Sequence, residues 1–153
     1  MKIMIVGCGR VGSRLAQRLE RGGHEVVVVD QDREAFARLG GDFRGATYHG
    51  SGLDSPTLKR AGITTCEALV AVTGGDNRNL MISQIAKHGF DTKRTIARLK
   101  DPIRAAKYRE MGVETLCVTT VVEGLLELWA QNGDFPDLPG EMSVSGDASA
   151  LLD

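Results

Sequence analysis

Three features are scarce in this sequence, and each absence excludes a class of protein. The cysteines, Cys8, Cys66 and Cys117, are far apart and include no Cys-x-x-Cys pair, so neither a disulfide framework nor a structural zinc site is indicated. No apolar run approaches the roughly 20 residues of a membrane-spanning helix, which excludes a membrane channel. Aromatic residues make up only 5% of the chain and no basic run occurs, so nucleic-acid binding has little support.

Histidines and targeting signals are also sparse. His24, His49 and His88 stand in no spacing that suggests a catalytic triad or a metal site. The apolar stretch at the N-terminus is too short for a secretory signal. We therefore expect a cytoplasmic protein without a bound metal.

The acidic residues are unevenly distributed along the 153 residues, which are enough for one domain. Residues 132–153 carry five acidic and no basic side chains, whereas residues 1–131 carry 19 basic against 15 acidic ones. The start of the acidic segment is rich in Gly, Pro, Asn and Asp. These features predict a functional domain over residues 1–131, followed by an acidic linker or flexible C-terminal tail over residues 132–153.

Short runs rich in Val, Ile and Ala alternate with helical stretches. Several runs are apolar at consecutive positions, which is typical of parallel strands covered on both faces. Six such units predict an α/β fold, a Rossmann-like doubly wound parallel sheet with strand order 3-2-1-4-5-6. A repeat array is the alternative, although the units share no signature. The predicted strands are Lys2–Val6, Glu25–Val29, Ala46–His49, Ala68–Val72, Thr95–Leu99 and Thr115–Val118.

Helix starts are marked by capping residues. Ser55-Pro56 and Asp101-Pro102 each offer an N-cap acceptor followed by proline, and Thr120 with Glu123 fits a capping box. The last helix, predicted over residues 120–131, is apolar on more than one face. It is either a thoroughly buried core helix or a surface that docks on another subunit.

Gly7-Cys8-Gly9-Arg10-Val11-Gly12 fits the Gly-x-Gly-x-x-Gly fingerprint and lies between the first predicted strand and helix. Gly7 would allow a tight turn, Gly9 would let the backbone approach a pyrophosphate, and Gly12 would let helix and strand pack closely. The phosphates would then lie at the positive end of the helix. A glycine-rich turn without a ligand is the alternative interpretation.

Asp30 supplies a second element of a dinucleotide site, because it ends the second predicted strand 18 residues after Gly12. A carboxylate there accepts hydrogen bonds from both ribose hydroxyls and repels a 2′-phosphate, which disfavours NADP. The alternative is a helix-capping acid, a role that Asp32 could fill by itself.

Two side chains within the fingerprint allow more than one interpretation. Arg10 lies in the first helical turn, where a cation opposes the helix dipole; it either binds a phosphate or is a solvated surface residue. Cys8 is either a redox thiol or, as we favour, a small residue that permits close backbone approach.

Two further strand ends bring small and polar residues to the same crevice, in Gly50-Ser51-Gly52 and in the segment from Thr73 and Gly74 to Asn79. Such residues are also common in any strand-to-helix turn. Arg98 is charged within an apolar strand and needs a partner: an internal acid, a ligand or a neighbouring subunit.

With these residues in view, residues 1 to about 131 resemble the N-terminal nucleotide-binding domain of Trk/Ktr-type potassium-transport regulators, the KTN or RCK N-terminal domain of the TrkA-N family. The resemblance rests on the fingerprint, Asp30, and four later segments. These are Leu58-Lys59-Arg60-Ala61-Gly62-Ile63, Ala68-Leu69-Val70-Ala71-Val72-Thr73 with Asn79-Leu80, Ile96-Ala97-Arg98-Leu99-Lys100-Asp101-Pro102, and Met111-Gly112-Val113.

The resemblance implies nucleotide binding without catalysis. Similar proteins form rings on the cytoplasmic face of a potassium channel or transporter, and NAD(H), ATP or ADP in the crevice changes the ring's shape. Two positions depart from the family pattern. Ser51 stands where the family usually has an acidic residue, and Gly75-Asp76-Asn77 replaces a more acidic run. The candidate cofactor-binding residues are Gly7, Cys8, Gly9, Arg10, Val11, Gly12, Asp30, Gln31, Ser51, Thr73, Gly74 and Arg98.

The sequence thus predicts a non-enzymatic cytoplasmic regulator of potassium uptake that binds NAD(H) or ATP/ADP. Its expected partners are further copies of itself, as a dimer or ring, and a membrane potassium transporter or channel subunit, to which it would be peripheral. The family's smaller C-terminal regulatory domain has no counterpart here, so we expect either an isolated or truncated nucleotide module or a partner chain that supplies the rest. The alternatives are a minimal NAD-dependent oxidoreductase, the detached cofactor domain of one, or an assembly module without a ligand.

Overall fold

A single parallel sheet of six strands organises the computed structural model, which describes residues 1–135. The strand order is β3-β2-β1-β4-β5-β6, which confirms the predicted doubly wound fold. Each predicted strand boundary lies within one residue of the observed one. The strands are β1 Lys2–Val6, β2 Glu25–Asp30, β3 Ala46–His49, β4 Ala68–Ala71, β5 Arg94–Leu99 and β6 Thr115–Cys117.

Helices connect successive strands. Two connections differ from regular α-helix: a 3-10 helix over Arg33–Leu39 joins β2 to β3, and α3 continues as a π-helix over Ile85–Gly89. A short 3-10 helix, Ile63–Thr65, precedes β4. The α-helices are α1 Arg10–Arg21, α2 Ser55–Arg60, α3 Asp76–Gln84, α4 Pro102–Glu110 and α5 Val118–Asn132.

Both faces of the central strands are buried, which explains their continuous apolar runs. On one face Ile5 and Val28 pack with Ala16 of α1. On the other face Val6 and Val29 pack with side chains of α2 and α3. Because alternate residues of a strand point to opposite faces, two covered faces leave no position for a polar residue.

Strand β5, between β4 and β6, is different, because only one of its faces is fully buried. Ala97 and Leu99 pack with Leu80 of α3 and Ala105 of α4. The alternate residues of this strand, Ile96 and Arg98, are only partly buried.

The cap of α2 lies one residue earlier than predicted. Asp54, not Ser55, is the N-cap: its Oδ2 accepts hydrogen bonds from the Thr57 amide (2.9 Å) and the Thr57 hydroxyl (2.5 Å). These hydrogen bonds lower the pKa of the Asp54 carboxyl. A carboxylate accepts two donors at once, so Asp54 competes successfully with the neighbouring serine.

Of the other two predicted caps, one is confirmed and one is wrong. Asp101 caps α4 by accepting hydrogen bonds from the Ile103 and Arg104 amides at 2.9 and 3.2 Å. Thr120 does not cap α5, because this helix begins at Val118, directly after β6. With no loop between strand and helix, the predicted capping box falls inside the helix.

The chain divides into two compact units, Met1–Cys117 and a second that begins at Val118. None of the 15 residues of α5 is buried, which excludes the buried-core alternative for this helix. Its large apolar side chains Val121, Val122, Leu126, Leu128 and Trp129 are 40% to 56% exposed. The predicted tail lies, from residue 136 onward, outside the described residues, and the predicted boundary at residue 131 stays a prediction.

No helix among residues 1–135 combines the length and the apolar composition needed to cross a bilayer.

Candidate functional site

The turn between β1 and α1 can be built only with glycine at two of its positions. Gly7 has a φ of +109°, and a Cβ added there would lie 2.8 Å from the Thr73 amide nitrogen. A Cβ on Gly12 would lie 1.8 Å from the Gly7 carbonyl oxygen. Gly7 therefore permits the turn and the close approach of β4, and Gly12 permits the close packing of helix against turn.

Gly9 is different, because a Cβ there would meet no atom of residues 1–135 within 4 Å. Its φ of −77° is open to any residue, so nothing in this part of the chain requires glycine at this position. Gly9 is the N-cap of α1 and provides no side-chain acceptor, and the first turn of the helix contains no acidic residue. The start of α1 thus presents backbone amides and the positive end of the helix dipole to open space, which suits a phosphate.

Asp30 lies beside this helix start and is bound to the same turn. Its Oδ2 accepts a hydrogen bond from the Cys8 amide (2.5 Å), and its Oδ1 accepts one from the Asp32 amide (2.8 Å). Each carboxylate oxygen can accept a second hydrogen bond, so the orientation fixed by the backbone leaves capacity for ligand hydroxyls. Asp32 caps the following 3-10 helix by accepting from the Glu34 amide (3.0 Å), so that capping role needs no help from Asp30.

A crevice of about 120 Å³ opens at the carboxyl ends of the strands. It lies where the strand order reverses between β1 and β4, the position at which doubly wound sheets bind ligands. Its apolar residues are Val6, Val29 and Ile82; its glycines are Gly7, Gly50, Gly52 and Gly74; its polar and charged residues are Asp30, Gln31, Thr73 and Arg78.

The structure brings five of the predicted residues together in the crevice lining: Gly7, Asp30, Gln31, Thr73 and Gly74. Three more, Gly9, Arg10 and Val11, form the exposed start of α1.

The other four predicted residues, like the three at the start of α1, lie outside the crevice lining. Gly12 is buried in the packing of α1. Ser51 stands between two lining glycines, and its hydroxyl accepts a hydrogen bond from the Leu53 amide (3.2 Å). Cys8 and Arg98 have distinct environments.

Cys8 meets the site only through its backbone. Its side chain is fully buried, and the thiol donates a hydrogen bond to the Ala35 carbonyl (3.4 Å). Burial, together with the charge of Asp30, raises the pKa of Cys8 to about 11. A buried thiol with this pKa is almost wholly protonated at neutral pH, which argues against the redox interpretation.

Arg98 lies on β5 and does not line the crevice. Its Nε atom is buried and has no hydrogen-bond partner among residues 1–135. Within the described residues, no internal acid pairs with Nε, which was one of the three partners considered for Arg98.

Two lining residues, Gly52 and Arg78, lie in strand-end segments that were predicted to face this crevice, but they are not among the candidate cofactor-binding residues. Ser51 was selected instead of Gly52, yet a Cβ on Gly52 would lie only 2.4 Å from a Val6 side-chain carbon. Arg78 in the first turn of α3 is exposed, and its side chain forms no hydrogen bond or ion pair within the described residues. A cation in a first turn was the signal that singled out Arg10, and the same reasoning could have found Arg78.

Among the described residues, no group of three or more His, Cys, Asp or Glu side chains could hold a metal ion. His49, at the end of β3, shares a hydrogen bond of 2.9 Å with the Gln31 carbonyl.

The TrkA-N domain model matches residues 3–119, which is most of the chain. The chain belongs to the TrkA-N family. This TrkA-N domain is 46% identical over 116 residues to the Trk system potassium uptake protein TrkA of Streptomyces coelicolor, a match that covers 76% of this chain and 52% of that protein. It is 32% identical over 111 residues to a TrkA homolog of Pyrococcus abyssi, covering 72% and 49%. The chain thus spans about half the length of these curated relatives.

Solved structures share the fold of this TrkA-N domain at low sequence identity. The GsuK channel bound to NAD matches with a TM-score of 0.72 and 20% identity, covering 86% of this chain and 23% of the channel chain. The AMP-bound Kef CTD of Shewanella denitrificans matches with a TM-score of 0.69 and 20% identity, covering 88% and 83%. At such identities the likeness shows the fold alone.

Proposed function

We propose that this TrkA-N domain is a regulatory nucleotide sensor, which binds NAD(H) or an adenine nucleotide such as ATP or ADP and controls potassium transport by conformational change. The observation that carries the proposal is the open start of α1 at Gly9 beside the carboxylate of Asp30. An uncapped helix N-terminus suits phosphate, and a carboxylate with unused acceptor capacity suits ribose hydroxyls.

The crevice offers complementary chemistry to each part of such a ligand. The phosphates would lie on the amides of Gly9, Arg10 and Val11, with the guanidinium of Arg10 adding charge-assisted hydrogen bonds. The ribose hydroxyls would donate to Asp30. The base would enter toward the apolar side chains of the crevice, Val29 among them.

Asp30 also predicts which nucleotides are disfavoured. A 2′-phosphate on the ribose would meet this carboxylate, so NADP is expected to bind more weakly than NAD. The GsuK channel bound to NAD and the AMP-bound Kef CTD support an adenine nucleotide as the class of ligand.

Regulation requires a partner, and α5 supports a second copy of this chain. A helix with an exposed apolar face is stabilised when that face is covered, and a homo-oligomer, a dimer or ring, would cover it. The relatives named TrkA potassium uptake proteins support a membrane potassium transporter or channel as the further partner, with this domain at the cytoplasmic face. Nucleotide would act by binding one arrangement of the assembly more tightly than another.

The lining favours binding over catalysis. Asp30 and Arg78 are the ionisable side chains of the described lining, and both oxygens of Asp30 already accept backbone hydrogen bonds. A general acid or base for hydride transfer would have to come from outside this lining. Turnover of reduced nicotinamide with candidate substrates would favour the alternative of an oxidoreductase.

The test is thermal unfolding with NAD, NADH, ATP, ADP, AMP and NADP in turn. A ligand at 100 times its dissociation constant should stabilise the fold by about 2.7 kcal/mol. Asp30→Asn should reduce the shift produced by NAD, because an amide accepts ribose hydroxyls less well than a carboxylate. Asp32→Asn is the matched control, since Asp32 lies outside the lining. If no adenine nucleotide shifts the transition, the proposed function is wrong.

A further inference from the structure

Asn79 occupies a buried position behind the crevice, and its amide group is fully hydrogen-bonded. The residue is 1% exposed. Its Oδ1 accepts hydrogen bonds from the Thr73 amide (2.8 Å) and the Thr73 hydroxyl (2.7 Å). Its Nδ2 donates to the Thr73 carbonyl (3.1 Å) and to the Arg98 carbonyl (2.8 Å). One side chain of α3 therefore holds the end of β4 and the end of β5 together.

This arrangement uses two donors and two acceptor sites at once, which among side chains of this size is a property of asparagine. Aspartate would keep the two hydrogen bonds from Thr73. Its second carboxylate oxygen would replace the amide nitrogen, however, and would repel the Thr73 and Arg98 carbonyl oxygens. Leucine would leave four partly buried polar groups of Thr73 and Arg98 without this partner, which costs stability wherever water cannot replace it.

A second set of contacts secures the same loop from the other side. Asp76 Oδ2 accepts hydrogen bonds from the Lys100 amide (2.9 Å) and the Asp101 amide (3.1 Å), at the start of α4. The ammonium of Lys100 donates to the Gly74 carbonyl (3.0 Å). The loop from Thr73 to Asp76 is thus joined to β5 and to the start of α4.

Two residues of this loop, Thr73 and Gly74, line the crevice, whereas Asn79 and Asp76 do not. The conformation of the crevice wall is therefore set by side chains that a ligand in the crevice would not touch. In a site that holds its ligand through backbone amides and small side chains, a displacement of this wall changes affinity directly.

We propose that Asn79, assisted by Asp76, is a positioning residue for the nucleotide site: it holds the Thr73–Asp76 loop in the conformation that accepts ligand, and it links that loop to the β5–α4 junction. This inference rests on the proposed function. It adds a route by which occupancy of the crevice reaches β5 and α4, since any shift of Thr73 on binding is shared with the Arg98 backbone and the Lys100 and Asp101 amides.

The experiment measures the NAD dissociation constant by calorimetry for the wild type, Asn79→Asp, Asn79→Leu and Asp76→Ala, with Ser83→Ala as control. Ser83 lies on α3, is fully buried, and its hydroxyl has no hydrogen-bond partner among the described residues. Its truncation perturbs the same helix without touching the loop. Unfolding temperatures are recorded in parallel, so that effects on stability and on affinity are separated.

At pH 8 we expect Asn79→Asp and Asn79→Leu to weaken NAD binding at least tenfold, and Asp76→Ala to weaken it severalfold, with Ser83→Ala unchanged. At pH 5.5 the Asn79→Asp defect should shrink relative to wild type, because a protonated carboxyl can again donate to a carbonyl, while the Asn79→Leu defect persists. The charged residues on the segments joined to this loop are Arg98 on β5, Asp76 on α3, and Lys100 and Asp101 before α4. Wild type measured at both pH values is therefore the reference for each variant.

A purely structural role would lower the unfolding temperature and leave the dissociation constant unchanged, which would overturn the proposal. If the Asn79 variants do not fold, the comparison of Asp76→Ala with Ser83→Ala decides: unchanged affinity in both overturns it. Wild type that binds no nucleotide would instead refute the proposed function, because it removes the site rather than its support.

Discussion

The second and third glycines of the fingerprint, Gly9 and Gly12, should differ in how much substitution by alanine lowers the free energy of unfolding. For Gly9→Ala the added Cβ meets no atom of the described residues within 4 Å, and the φ of −77° is accessible to alanine. Alanine is a poorer N-cap than glycine, but it reduces the entropy of the unfolded chain by a comparable amount. We expect the free energy of unfolding to change by less than about 1 kcal/mol.

Gly12→Ala should behave as overpacking, because its Cβ would lie 1.8 Å from the Gly7 carbonyl oxygen. That contact is with backbone, so the helix or the turn must move by more than an ångström. The expected loss is about 3 kcal/mol or more, at the upper end of what overpacking costs. The gain in helix propensity, about 1 kcal/mol, does not offset it.

Nucleotide affinity separates the two roles further. The Cβ of Gly9→Ala would occupy the space in which a phosphate approaches the backbone, so NAD binding should weaken at least tenfold in a protein that is as stable as wild type. Urea unfolding and calorimetry on the same samples make both measurements. Wild-type affinity in Gly9→Ala would refute a phosphate over Gly9, and wild-type stability in Gly12→Ala would refute the packing argument.

Two further predictions concern other parts of the chain. Burial raises the pKa of Cys8 and of Cys66 to about 11, so about one thiol in a thousand is ionised at pH 8 and Ellman's reagent should react with these cysteines only after unfolding. Fast labelling of Cys8 or Cys66 in the folded protein would contradict this prediction. The same thiols have a pKa near 9 in the unfolded chain, so between about pH 9 and 11 the folded state binds more protons than the unfolded state. The stability that these thiols contribute should therefore fall as the pH rises from about 9 to 11. The double variant Leu126→Glu, Trp129→Glu places charges on the exposed apolar face of α5 and should convert an oligomeric wild type to a monomer in light scattering. The unfolding of Met1–Cys117 should be unchanged. A monomeric wild type would contradict the role of α5.

Much of the fold and part of the site followed from sequence alone. Six apolar runs separated by helical stretches specify a doubly wound sheet, because parallel strands need a helix-length connection and both faces must be covered. The packing roles of Gly7 and Gly12 and the position of Asp30 at the crevice could be predicted because they depend on local backbone geometry and on a fixed spacing along a single strand-helix-strand unit.

Other features were decided only by the tertiary structure. The convergence of the strand ends that carry Gly52 and Arg78 could be predicted, but which residues of these segments line the crevice is decided by how the loops fold against one another. Arg98 lies outside the lining because β5 places alternate side chains on opposite faces, so one position along the strand decides which surface a residue meets. The apolar pattern of α5 was plain in the sequence, but periodicity records only that a face is apolar, and not whether the same chain covers it.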